Sequence, residues 1–132
     1  MDAMAARVIR ETVSKVVELT QLLENWDSYG AAEITKDAIC GAYDLAYNLF
    51  FEATPLPDVF PVPNGNIQME WSCLGLDLEI EILSRRKLIA SFQDLESDIN
   101  WTKEFTNDFT ELAGVIAKLT ERNRPKKHLR VA

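Results

Sequence analysis

The part of this sequence best suited to chemistry is a set of carboxylates at alternating positions. Asp77, Glu79 and Glu81 recur every second residue, and Glu70, with Gln68 two positions before it, holds the polar phase of the preceding segment. On a strand, a period of two puts such side chains on one face. There they have three possible uses: oxygen ligands for a hard cation, a paired general acid and base, or a rigid negative surface that steers and fixes a basic partner. A half-covered sheet also turns such residues to solvent with no function at all. That plain placement outranks a metal or catalytic site, so no metal, cofactor or catalytic residue is expected. The use left to Gln68, Glu70, Asp77, Glu79 and Glu81 is partner binding.

A second cluster is Trp26-Asp27-Ser28-Tyr29-Gly30, and a further indole, Trp71, directly follows Glu70. Aromatic rings beside carboxylates can form a sugar or cation site, which makes Trp26, Asp27, Tyr29, Glu70 and Trp71 a candidate small-ligand or carbohydrate pocket if they converge. The competing reading has Trp26 and Trp71 anchored in the core while Asp27 bonds to loop backbone, with Gly30 in a turn that needs positive φ.

Other chemistries lack their parts. The only histidine is His128, and no Gly-x-Ser-x-Gly elbow or Cys/His pair exists, which removes the familiar nucleophilic arrangements. The five glycines are isolated, so no phosphate-cradling loop is visible. Cys40 and Cys73 have no CxxC spacing and read as buried thiols in a reducing compartment. A non-enzymatic chain is expected.

The elements that would position these residues follow from periodicity. At 132 residues, with 47% hydrophobic and 27% charged, the chain has the length and composition of one globular domain, placed at residues 1–121. Apolar positions from Val8 to Leu23 near a 3.6-residue period predict a first helix. Thr35 as N-cap, with Asp37 in the first turn, predicts a second that Pro55 stops. Prolines confine Asp58 to Val62 to a short edge strand or arm, and Asn64-Gly65 predicts a type I′ hairpin. Strands follow over Asn66–Cys73, Leu76–Ile82 and Leu88–Phe92, then a polar stretch from Gln93 to Asn100. A last helix is predicted from Thr102, burying Phe105, Phe109, Leu112, Ile116 and Leu119. The expected fold is α+β: a four-stranded antiparallel meander with helices on one face, in the order ααββββα.

Charge is unevenly spread within the net −7. The body is strongly acidic, while residues 122–132 hold Arg122, Arg124, Lys126, Lys127 and Arg130 and read as a basic, flexible tail. An acidic body disfavours nucleic acid except through that tail and favours a basic protein partner. No apolar run approaches the roughly 18 residues of a membrane span, and the first residues lack a signal-peptide core; a cytoplasmic location without membrane contact is expected. The proline-rich arm beside a sheet edge leaves a homodimer possible.

Asn25-Trp26-Asp27-Ser28-Tyr29-Gly30-Ala31, the proline-bounded arm, Gly65, Gln68-Met69-Glu70-Trp71 and the alternating acidic strand together resemble a family of short bacterial and phage-borne proteins of unknown function. The likeness spans roughly Leu19 to Ile82, with Trp-Asp-x-Tyr-Gly-Ala and Glu-Trp its most specific parts; Glu33-Ile34 stands where a proline usually follows. The resemblance implies a small accessory or interaction protein of the kind found among mobile elements and defence or toxin loci. Together with the charge pattern it suggests an inhibitor, antitoxin-like or anti-defence protein that binds a basic or nucleic-acid-handling protein.

Overall fold

The chain turns a helical pair, a strand meander and a closing helix around one layer of apolar side chains. A computed structural model describes residues 5–125, and in it the elements run α1 (Arg7–Leu19), α2 (Lys36–Leu49), β1 (Asp58–Pro61), β2 (Ile67–Cys73), β3 (Leu76–Ile82), β4 (Lys87–Asp94), β5 (Ile99–Thr106) and α3 (Thr110–Asn123). The strands form one antiparallel sheet in the order β1-β2-β3-β4-β5. The α+β class and the meander agree with the sequence, but the sheet has five strands, not four, and the order is ααβββββα.

The extra strand is β5, taken from the stretch expected to be loop and helix start. Ile99, Trp101 and Phe105 share the inward phase, and Trp101 packs on Phe92 and Phe105 with ring centroids 5.4 and 5.8 Å apart. That aromatic packing joins β5 to β4, and aromatic residues favour a half-buried pleated surface. The helix therefore starts later than Thr102. Asn107 takes φ 64°, and the Asp108 carboxylate accepts from the Thr110 N–H at 3.0 Å, so the break falls between Phe105 and Leu112.

The Asn64-Gly65 turn also differs from expectation. Around Asn64-Gly65, the Gly65 N–H donates to the Val62 carbonyl at 2.8 Å and the Val62 N–H to that of Asn66 at 2.9 Å. Gly65 has φ 95°, but Asn64 is not in the positive region, which makes a three-residue loop closed by a glycine bulge rather than a type I′ turn. The two consecutive positive-φ residues lie instead at Leu74 and Gly75, φ 57° and 75°, in the β2–β3 hairpin. A leucine there is strained; its carbonyl accepts from Arg122 Nη1 at 2.9 Å, which helps hold the turn.

The core lies between the sheet's inner face and the helices. Met69, Trp71, Leu78, Ile80, Leu88 and Phe92 meet Val16 of α1, Ala42, Leu45 and Ala46 of α2, and Leu112, Ile116 and Leu119 of α3. Small residues let α2 lie close: a Cβ on Gly41 would stand 2.4 Å from the Ser84 carbonyl oxygen and 2.7 Å from Ile82 Cγ2. Thr35 caps α2 as expected, accepting from Ala38 N–H at 3.0 Å. A buried relay joins the end of α2 to α3. The Phe51 N–H donates to Thr54 Oγ1 (2.8 Å), whose hydroxyl meets Thr120 Oγ1 (2.6 Å), which in turn donates to the Ile116 carbonyl (2.7 Å).

α1 stops at Leu19, short of Leu23, which is exposed. At the other end α3 extends through Asn123, so Arg122 belongs to the folded body and not to a tail. Residues 126–132, including His128, lie outside the described residues. No described helix is long and apolar enough to cross a membrane.

Candidate functional site

Register decides what the outer face of the sheet presents. Pairing of β1, β2 and β3 sets Asp58 opposite Glu70 and Glu70 opposite Glu79, with Gln68 opposite Glu81 and Ser72 opposite Asp77. A row of three carboxylates thus crosses three strands, with two more on the flanking rows. All five point away from the helices, because the alternate positions Met69, Trp71, Leu78 and Ile80 are buried beneath them. Opposed like charges on paired strands are destabilising, and none of Asp58, Glu70, Asp77, Glu79 and Glu81 forms an ion pair among the described residues.

Neutral neighbours orient these groups instead. Gln68 Nε2 donates to Glu70 at 2.5 Å, Asn66 Nδ2 to Glu81 at 2.6 Å and Ser72 Oγ to Asp77 at 2.6 Å. Each carboxylate so held keeps acceptor capacity for an incoming donor. Asp58 and Glu79, the exposed members, have no hydrogen-bond donor among the described residues.

The sheet curves around an open depression of about 610 Å³. One wall carries Glu70, Ser72, Asp77 and Glu79, the other Ser91 and Gln93 of β4 with Asn100 and Thr102 of β5. Carboxylates of this kind accept from guanidinium or ammonium groups with charge assistance; the amide and hydroxyl wall adds neutral contacts. Gln68, Glu70, Asp77, Glu79 and Glu81 therefore share one surface, as sequence reasoning placed them. Sequence reasoning missed Asp58 and the β5 wall, although Asn100, Thr102 and Glu104 alternate with Ile99, Trp101 and Phe105, a period-two signal present in the sequence. Among the described residues no three His, Cys, Asp or Glu side chains are grouped to hold a metal ion.

The aromatic loop is organised around itself. Asp27 Oδ1 accepts from the Tyr29 and Ala31 N–H groups at 2.8 and 3.0 Å, Asn25 Oδ1 from Gly30 N–H at 2.6 Å, and Trp26 Nε1 donates to the Ala32 carbonyl at 2.9 Å. Bonds from Ala32 N–H to the Pro63 carbonyl (2.8 Å) and from Thr35 N–H to that of Gly65 (2.9 Å) tie the segment to the β1–β2 hairpin. Trp71 is 3% exposed, meets Phe50 edge-on at 5.5 Å and donates to the Pro55 carbonyl at 2.8 Å. It anchors the proline arm from inside, whereas Tyr29 is 92% exposed and Trp26 is half-buried outside the core cluster. The structure does not bring Trp26, Asp27 and Tyr29 together with Glu70 and Trp71 in one pocket among those found on the described residues.

Among the described residues one acid faces inward. Asp94 ends the inward phase of β4, and its side chain is 1% exposed. The Glu96 N–H, then Lys118, Ser97 and Arg122, hold its carboxyl well below the usual carboxylate range against the opposing effect of burial. Lys118 Nζ lies 3.0 Å and Arg122 Nη2 3.1 Å from Oδ2, and Arg122 also reaches Glu96 at 2.6 Å. This cluster clamps α3 to the strand ends. Cys40 and Cys73 are free and half-buried rather than fully buried; desolvation, then Asp77, pushes the Cys73 thiol up, away from the reactive thiolate.

No protein-family model matches the chain, and no curated protein or solved structure is significantly similar to it.

Proposed function

We propose that this chain is a non-enzymatic interaction protein whose acidic sheet face docks a basic surface of another protein. The observation that carries this reading is the row Asp58–Glu70–Glu79, flanked by Asp77 and Glu81, with no counter-cation among the described residues. A lysine- or arginine-rich surface would supply the missing charge and enter a curved depression of about 610 Å³, steered by the field of the acidic body. Proteins that handle nucleic acid have such surfaces, so an inhibitor, antitoxin-like or anti-defence role is the concrete form of the proposal. A cytoplasmic setting belongs to the same reading.

The test begins with affinity capture from the native host and reconstitution of the identified partner with purified chain. Replacing Glu70, Asp77, Glu79 and Glu81 together by Lys should abolish the complex while the variant still folds, and added salt should weaken the wild-type complex. Undiminished binding by the folded quadruple variant rejects the surface.

A further inference from the structure

The two edges of the sheet are unlike. β1 is four residues long, contains Pro61, and has Lys15 of α1 donating to the Pro57 carbonyl at 3.0 Å just before it. Short length and proline are common devices against edge pairing. β5 is eight residues long, contains neither Pro nor Gly, and pairs with β4 in unbroken register from Lys87↔Thr106 to Asp94↔Ile99. Among the described residues no segment pairs with its outer edge.

The direction of its free backbone groups follows from the register. The Asn107 N–H donates to the Arg86 carbonyl at 2.8 Å, continuing the β4–β5 pairing by one step. Alternation then turns the N–H and C=O of Phe105, Lys103 and Trp101 toward β4, and those of Asn100, Thr102 and Glu104 outward. Three consecutive donor–acceptor pairs therefore stand along one uninterrupted edge.

We propose that β5 is a homodimerisation edge, on which two copies of this chain pair antiparallel about a two-fold axis at Thr102. In that register Thr102 meets Thr102 of the second copy, Trp101 meets Lys103, Asn100 meets Glu104 and Ile99 meets Phe105. Each charge opposes an unlike group: the ammonium an indole, the carboxylate an amide. Lys103 already lies 4.9 Å from the centre of its own Trp101 ring, so the second indole extends a contact the monomer begins. Sliding by one pairing step in one direction opposes Lys103 to Lys103. One step in the other direction sets Glu104 against Asp98, and a second step in the first direction sets Glu104 against Glu104. Lys103 and Glu104 keep their own partners Glu111 and Lys87; the reciprocal Trp101–Lys103 contact is what favours a second copy, and avoidance of like-charge pairs is what sets its register. Because such an axis stands perpendicular to the sheet, the two acidic faces lie on the same side of the joined sheet.

Sedimentation equilibrium on the full chain, from micromolar to millimolar concentration, should show a monomer–dimer equilibrium. Thr102→Pro removes an outward N–H that bonds nothing among the described residues, a site where an edge strand tolerates proline; it should give a folded monomer by circular dichroism. Asn100→Glu places a carboxylate against Glu104 twice per dimer and should weaken dimerisation about tenfold, while Asn100→Lys should tighten it. A monomer throughout, whether the edge is left free or taken by residues 126–132, overturns the proposal. So does a dimer untouched by Thr102→Pro, or Asn100→Glu and Asn100→Lys shifting the equilibrium in the same direction.

Discussion

Replacing Glu79 by Gln should make the protein more stable and weaken the proposed complex with a basic partner. Glu79 faces Glu70 directly across β2 and β3 and has no ion pair among the described residues. Opposed side chains on paired antiparallel strands have Cβ atoms about 5 Å apart, and two unit charges at about 5.5 Å repel by roughly 0.7 kcal/mol in a water-like dielectric. Asp77 and Glu81, on the same face of the same strand, add smaller repulsions, so the neutral variant should gain about 1 kcal/mol at low salt. For a domain of this size that corresponds to a Tm rise of about 3–4 °C. Glu79→Lys should gain more, since it turns repulsion from Glu70 into attraction. Thermal unfolding at low salt and in 1 M NaCl reads the effect, because a Debye length of about 3 Å at 1 M should erase most of the gain. Glu18→Gln, an exposed acid on α1, serves as the control and should leave Tm unchanged. The double variant Glu70→Gln/Glu79→Gln should gain less than the two single gains combined, since both singles remove the same repulsion. A gain that survives 1 M salt, or no gain at low salt, refutes the like-charge reasoning.

Gly41→Ala should lower stability by about 2–3 kcal/mol in urea unfolding, because its methyl would overlap the Ser84 carbonyl and force α2 off the β3–β4 turn; wild-type stability would place α2 elsewhere. Thr120→Val should cost about 1–3 kcal/mol by leaving the Thr54 hydroxyl without its buried acceptor, and adding Thr54→Val should cost less than its own single effect if the relay acts as one unit. Asp94 has a depressed folded-state pKa, so its contribution is complete above the ordinary carboxylate pKa of about 3.9 and is lost as pH falls below it. Asp94→Asn should therefore be less stable at neutral pH and show a shallower loss of Tm between about pH 4 and pH 2; parallel Tm–pH curves for the two proteins would remove Asp94 as an acid-sensitive clamp.

Alternation made β2 and β3 legible, since Met69, Trp71, Leu78 and Ile80 keep strict phase against Glu70, Asp77 and Glu79. The acidic face was therefore readable in outline. Local chemistry also located α2, whose Thr35 cap satisfies its own helix end. β5 was obscured because Lys103 interrupts the apolar phase, while Phe105, Phe109 and Leu112 fall four and three residues apart, the spacing of a helix face. The contact that decides between strand and helix is Trp101 on Phe92, and it depends on tertiary packing. Asp94 follows Leu88, Ala90 and Phe92 in the inward phase, so its burial could have been foreseen; its cations could not, since charge counting assigned Arg122 to a tail. The Asn64-Gly65 pair named a hairpin correctly and its geometry wrongly, because Pro63 ahead of it draws the turn into a longer loop.

Where the cations sit strengthens the case for the outer face. Arg85, Lys87, Lys103, Lys118 and Arg122 pair with Asp44, Glu104, Glu111, Asp94 and Glu96, at the helix contacts, the sheet ends and the β5 side. None reaches the acids of β2 and β3. Had the fold only to keep Glu70 and Glu79 soluble, one Lys at Gln68 or Ser91 would relieve their repulsion at no packing cost, because both positions already lie on the outer face. Glutamine and serine stand there instead, orienting or flanking carboxylates without neutralising them. A face left unneutralised against its own stability has the form expected of a surface completed by a basic partner, which is why stability and binding should respond to Glu79 substitutions with opposite signs.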